Sequence, residues 1–109
     1  LRAGHPVQVE ELPTLADSLG GGIGLGNRYT FPMVQRLVDD TVLVSEDEIA
    51  TAIRHAYNEE RVIVEGAGAV GIAALQSGRV PAGSVTAVVL SGQNIDMATH
   101  RRIVDGQPA

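Results

Sequence analysis

Apolar positions along this chain change their period several times, and each change marks a predicted element. After Ser45 the pattern is helical: Ile49, Ala52, Ile53, Ala56 and Tyr57 recur every three or four residues. Ser45-Glu46-Asp47-Glu48 reads as a capping box, with Ser45 as the cap and Glu48 three residues on. Acids crowd that first turn while Arg54 and His55 lie nearer the end, as the helix dipole favours. Gly66 to Gln76 is apolar nearly all round, which predicts a buried helix, and Gly78 is placed to end it. Met33, Val34, Leu37 and Val38 share one helical face, with Thr30 as the expected cap, Pro32 in the first turn and Asp39-Asp40 as the stop. Thr14 to Leu19 fits a short helix, and Met97 to Val104 a last one before a loose tail, Asp105 to Ala109.

Other apolar runs lack a helical period. Val85 to Leu90 is almost continuously apolar, as an interior parallel strand is. Val42-Leu43-Val44 and Val7-Gln8-Val9 are shorter strand candidates, and Pro81-Ala82-Gly83 makes a turn. Gly20-Gly21-Gly22-Ile23-Gly24-Leu25-Gly26 reads as a loop, because each glycine loses the most backbone entropy on being ordered. Strands alternating with helices predict an α/β fold, a parallel sheet layered with helices. At 109 residues the chain holds one such unit, residues 1–109.

Composition narrows the function classes. All eight basic residues are arginine and lysine is absent; apart from Arg101-Arg102 the arginines are scattered, so no basic stripe points to nucleic acid. Cysteine is absent too, which excludes disulfides and thiol chemistry and agrees with a cytoplasmic setting. The longest apolar run, Ala67 to Leu75, is too short and glycine-rich to cross a bilayer. His5, His55 and His100 have no partner at metal-ligand spacing, so no metal site is expected. The first residue is Leu1 and Leu1-Arg2-Ala3-Gly4 carries no start signal of a domain, so we expect a portion of a longer protein.

Three places invite chemistry. Ser91 lies just past the carboxyl end of the apolar run Val85 to Leu90, where open α/β sheets bind ligands; an ordinary strand-to-helix turn, with Asn94 capping the next element, is the simpler account on position alone. Glu65 precedes Gly66, Gly68 and Gly71 at a helix start, where glycines permit close approach and the helix end favours negative groups. Plain helix packing, with Glu65 complementing the dipole, is the simpler account. The Gly20 to Gly24 run lacks the spacing, lysine or flanking strand of a phosphate loop and reads as a flexible loop.

Taken together, Ala16-Asp17, Leu37-Val38-Asp39-Asp40, Val42 to Ile49, Glu65-Gly66-Ala67-Gly68-Ala69 and Ser91-Gly92-Gln93-Asn94-Ile95-Asp96 resemble the C-terminal part of the serine/threonine dehydratase family. These are fold-type-II pyridoxal-phosphate (PLP) enzymes, tryptophan synthase β-like in fold, and the likeness runs in order from Leu15 to Ile103. The narrower stretch Leu15 to Leu25, then Asn27-Arg28-Tyr29-Thr30-Phe31, is similar to the hydroxyectoine-utilisation dehydratase branch.

The resemblance implies that Ser91 hydrogen-bonds the PLP ring nitrogen, that Glu65, Gly66, Gly92 and Asn94 lie by the cofactor, and that Gly20, Gly21 and Gly22 sit near the substrate pocket. It also implies a lyase that takes ammonia from a small 2-amino-3-hydroxy acid, a homo-oligomer, and a remainder of the catalytic domain carrying the Schiff-base lysine and the phosphate loop. With no lysine and no catalytic residue of its own, this chain is then expected to be inactive alone. One departure stands out: the family usually has two glycines after the serine, and here Gly92 is followed by Gln93. If that position needs a left-handed backbone, glutamine strains it by ~1–2 kcal/mol. The rivals are a plain threonine or serine dehydratase, a racemase of the same fold, and a stand-alone, non-catalytic α/β module that binds a small ligand or a partner chain.

Overall fold

A computed structural model describes residues 1–108. Among them lie four α-helices: α1 (Thr30–Leu37), α2 (Glu46–Asn58), α3 (Gly66–Gln76) and α4 (Met97–Val104), with a 3-10 turn at Asp17–Leu19. The capping box at the head of α2 forms as the sequence predicts. The Ser45 hydroxyl accepts from the Glu48 N–H at 3.2 Å, and the Glu48 carboxylate accepts from the Ser45 N–H at 2.7 Å. The buried face of α2 is Ile49, Ala52, Ile53 and Ala56, four of the five positions read from the period; Tyr57 is exposed.

Helix α3 buries Ala67, Ala69 and Ala73 against α2, and Gly78 comes after it at φ +74°, the left-handed conformation a helix-ending glycine adopts. Ile103 of α4 completes the core with Val64. Arg54 of α2 donates to the Ile103 carbonyl at 3.1 Å, which ties α2 to the last turn of α4. Between α2 and α3 the chain reverses through Arg61 at φ 62°, while the Val62 N–H reaches back to the Ala56 carbonyl.

The expected parallel sheet is not shown: no strand is present among the described residues. Val7–Val9, Val42–Val44 and Val85–Leu90 are all without regular structure. The reason is physical. A strand exists through its ladder, which needs a second backbone about 4.8 Å away, and these runs find none among the described residues. Val85 is 92% and Val89 81% exposed, so the run that reads as an interior strand lies on the surface. One main-chain to main-chain bond joins the neighbouring segments, from the Glu65 N–H to the Gly92 carbonyl at 3.1 Å. The result is a slab of 42 × 35 × 19 Å. Its radius of gyration, 15.2 Å, exceeds the ~13 Å of a compact chain this long.

Several local expectations are corrected. Thr14 to Leu19 supports only the 3-10 turn. Thr30 opens α1 without capping it; Asn27 does so instead, its Oδ1 accepting from the Phe31 N–H at 2.8 Å. Helix α1 ends at Leu37, before Asp39, and its predicted apolar face (Met33, Val34, Leu37, Val38) is exposed. The tail is held as far as Gln107, whose N–H donates to the Arg102 carbonyl at 2.8 Å; Ala109 lies outside the described residues.

Candidate functional site

The amino end of α3 is gripped from two sides by main chain. On one side runs Leu15-Ala16: a Cβ at Gly66 would overlap the Leu15 carbonyl and stand 2.8 Å from the Ala16 nitrogen. On the other runs Ser91-Gly92: a Cβ at Gly68 would stand 2.8 Å from the Gly92 oxygen and 3.2 Å from its nitrogen. Only glycine admits both neighbours. The Leu15 side is anchored by Glu46 at the head of α2, which accepts from the Thr14 hydroxyl at 2.5 Å and the Leu15 N–H at 2.7 Å.

Glu65, the residue before α3, joins these parts. Its N–H donates to the Gly92 carbonyl at 3.1 Å. Its Oε1 lies against Gly92, where a side chain would overlap it, and accepts a long bond from the Asn94 N–H at 3.4 Å. Its Oε2 accepts from the Ser18 hydroxyl at 2.9 Å. Beside this group is a cavity of about 190 Å³ lined by Thr14, Leu15, Asp17, Glu65, Gly66, Asn94 and the start of α4.

The structure therefore brings together Glu65, Gly66, Gly92 and Asn94, with Ser91 exposed at the near end of the same turn. Gly20 and Gly21 lie apart from them, in an open hollow of about 680 Å³ that also holds Leu12, Leu19, Val42 and Val70. Gly22 is exposed and does not line that hollow. Asn94 does not cap α4; Asp96 does, its Oδ2 accepting from the Thr99 N–H at 2.8 Å. That donation holds the Asp96 carboxyl below its ordinary 3.8. The Ser45 N–H, then the Arg79 guanidinium at 2.6 Å, hold Glu48 below 4.5.

The concern over Gln93 is resolved by geometry. Among the described residues Arg61 is the only non-glycine at positive φ, so Gln93 carries no left-handed strain. Nor is Gly92 left-handed; a side chain there would displace the Glu65 carboxylate, which occupies that space. Sequence reasoning missed Ser18, Thr14 and Glu46. Their partners stand 47, 32 and 31 residues away, and no local period signals such pairs.

Set against the PLP that the resemblance implies, this chain's donors fit one edge of the group. Ser91 offers a hydroxyl beside a clamped turn. The hollow at Gly20 and Gly21 does not suit a phosphate, because Glu10, Glu11, Asp17 and Glu46 line it. With no lysine, covalent attachment through a side-chain ammonium is not available. Among the described residues no helix is long and apolar enough to cross a membrane, and no three His, Cys, Asp or Glu side chains are placed to share a metal ion.

Comparison with known proteins agrees with the motifs. Residues 1–92 match the family described as pyridoxal-phosphate dependent enzyme. A Sinorhizobium fredii protein provisionally named a threonine dehydratase is 64% identical over 107 residues, covering 97% of this chain and 32% of its own length. L-threonine ammonia-lyases of Thermotoga maritima and Geobacter sulfurreducens are 41% and 43% identical, each over 96% of this chain and 26% of their own length. The chain thus spans a third or less of the curated relatives it matches. By the extent of these matches, the chain belongs to the pyridoxal-phosphate dependent enzyme family, with threonine dehydratases among its relatives.

Proposed function

We propose that residues 1–109 form the carboxyl-side portion of the catalytic domain of a PLP-dependent ammonia-lyase. Its substrate is a 2-amino-3-hydroxy acid, which leaves as a 2-oxo acid and ammonia. The observation that carries this reading is the Ser91–Asn94 turn: Glu65 holds Gly92 and Asn94 while Ser91 stays exposed beside them. When bound, PLP supplies the electron sink for removing the α-proton and expelling the β-hydroxyl. Ser91 donates its hydroxyl to the unprotonated ring nitrogen, a weaker pull on electrons than a carboxylic partner exerts. Glu65, Gly66, Gly92 and Asn94 fix the turn that carries Ser91, and Gly20 to Gly22 border the substrate side.

We place the Schiff-base lysine and the phosphate loop in the part of the domain that the relatives have and this chain does not span, so the chain alone is inactive. That part also supplies partner strands for Val42–Val44 and Val85–Leu90, which completes the parallel sheet and covers their exposed apolar side chains. The enzyme is cytoplasmic and homo-oligomeric in this reading. Its substrate is threonine- or serine-like, or a hydroxylated amino acid from hydroxyectoine breakdown, as the stretch Leu15 to Phe31 suggests.

The test is Ser91→Ala in the intact, PLP-loaded enzyme. Expected are a shifted cofactor absorbance and a loss of 2-oxo acid formation of about tenfold or more. Unchanged absorbance and turnover refute the role of Ser91. Relative turnover of L-threonine and the hydroxyectoine-derived amino acid identifies the substrate, and racemisation of serine in place of ammonia release identifies the racemase. The missing lysine favours one other reading, a stand-alone binding module. A cooperative melt from a monomer of 109 residues supports that module; self-association through the exposed runs supports the portion of an enzyme.

A further inference from the structure

We propose that Ser18 is a positioning residue that sets the Ser91 turn by acting through Glu65; this rests on the reading of Ser91 as the ring-nitrogen donor. The Glu65 carboxylate has one oxygen against Gly92 and the Asn94 N–H, and that second bond is long, 3.4 Å. A glutamate side chain held so weakly is free to swing about its rotatable bonds. Its other oxygen receives the Ser18 hydroxyl at 2.9 Å, the shorter of the two bonds to the carboxylate. Among the described residues no arginine or histidine pairs with Glu65, so a neutral hydroxyl does this holding.

Ser18 sits at a joint. The 3-10 turn around it is closed by Leu19 N–H to the Ala16 carbonyl and Gly20 N–H to the Asp17 carbonyl, both 2.9 Å. Its base is fixed, because Ala16 is buried and the Leu15 N–H is bound by Glu46. Its far end leads into the Gly20–Gly24 loop, where Gly21 and Gly24 are left-handed and open to solvent. A displacement of that loop reaches Ser18 first, then the Glu65 carboxylate, then the turn that carries Ser91. Substrate contact with the loop and the geometry at the ring nitrogen are thereby coupled through one hydroxyl.

The experiment compares Ser18→Ala, Ser18→Thr and Ser91→Ala in the intact enzyme, by amide hydrogen exchange without cofactor and by absorbance and steady-state kinetics with PLP. Ser18 is exposed, so a melt is expected to show the fold retained. In Ser18→Ala, exchange at the Glu65 and Asn94 amides accelerates roughly 3- to 10-fold relative to the amides of α3, the size of one lost hydrogen bond. The absorbance shifts in the direction Ser91→Ala gives, kcat falls by a similar factor, and Ser18→Thr, which keeps the hydroxyl, restores all three. If Ser91→Ala moves the absorbance and Ser18→Ala changes neither exchange nor absorbance, the role of Ser18 is overturned and that of Ser91 stands. If Ser91→Ala itself leaves the absorbance in place, the reading of Ser91 fails and the positioning role falls with it.

Discussion

Replacing Gly68 by alanine sets two opposed effects against each other. In a helix interior alanine is favoured over glycine by ~1 kcal/mol, so propensity alone raises the melting temperature. The added methyl, however, stands 2.8 Å from the Gly92 oxygen and 3.2 Å from its nitrogen, against an ordinary contact of at least 3.4 Å. Those atoms are main chain, and the Glu65 N–H holds the same carbonyl at 3.1 Å, so they yield only by breaking that bond. Overpacking of this kind costs ~1–3 kcal/mol, which outweighs the gain and leaves a net loss of about 1 kcal/mol. Gly66→Ala is worse, about 2 kcal/mol net, because the methyl meets the Leu15 carbonyl head-on and Glu46 pins that segment.

Gly71→Ala provides the internal control. Its methyl meets the Val88 Cγ1 at 2.6 Å, but that atom is the end of a rotatable side chain in a run with no ladder to hold it. Here propensity prevails, for a gain of about 0.5 kcal/mol. The assay is thermal unfolding of residues 1–109 and the three variants by circular dichroism at one protein concentration, with the order of midpoints as the readout. The expected order of Tm is Gly71→Ala, parent, Gly68→Ala, Gly66→Ala. A Gly66→Ala or Gly68→Ala variant that melts at or above the parent refutes the account of α3 as a helix held between two backbones.

Two further outcomes concern side chains at the helix ends. Glu48 and Asp96 both have carboxyls held below their ordinary 4.5 and 3.8, Glu48 chiefly by the Ser45 N–H and Asp96 by the Thr99 N–H. Depressed folded values mean the stabilisation is complete above the ordinary values and is lost as pH falls through the lower ones. Tm should therefore fall as pH drops below 4.5, less steeply in Glu48→Gln; a flat acid limb overturns this. Arg61, at φ 62°, occupies a conformation that costs a residue with a side chain about 1 kcal/mol, so Arg61→Gly should raise stability by nearly that amount in urea unfolding. A loss in that variant would show that the arginine side chain has a compensating contact.

Helices α2, α3 and α4 were legible in the sequence because their signals are local. Ser45 and Glu48 cap each other across three residues, Gly78 supplies its own left-handed stop, and Ile49, Ile53 and Ala56 recur on one face. The sheet was not legible in the same sense. Val85 to Leu90 has the composition of an interior strand, but composition describes the environment a run is suited to and not the backbone that must lie beside it. Val85 and Val89, both exposed, show a strand-forming run with no partner among the described residues. Helix α1 makes the same point, since Met33 and Leu37 share a face that meets nothing here and so stays exposed.

At the site, glycine content was legible and its meaning was not. From sequence, Gly66 and Gly68 permit close approach of a ligand as well as of chain, and the resemblance puts Gly92 by the cofactor; the structure shows that chain itself fills each space, Leu15 at Gly66, Gly92 at Gly68 and the Glu65 carboxylate at Gly92. Three glycines so explained cease to be direct evidence for a cofactor. What they do is shape the support: they let Leu15-Ala16 and Ser91-Gly92 straddle one helix end, with Glu65 bonded to Ser18 on one side and to the Asn94 N–H on the other. Ser91 is then the residue of that turn whose hydroxyl is left for a ligand, so the case for cofactor contact rests on Ser91 and the family match, and not on the glycines around it.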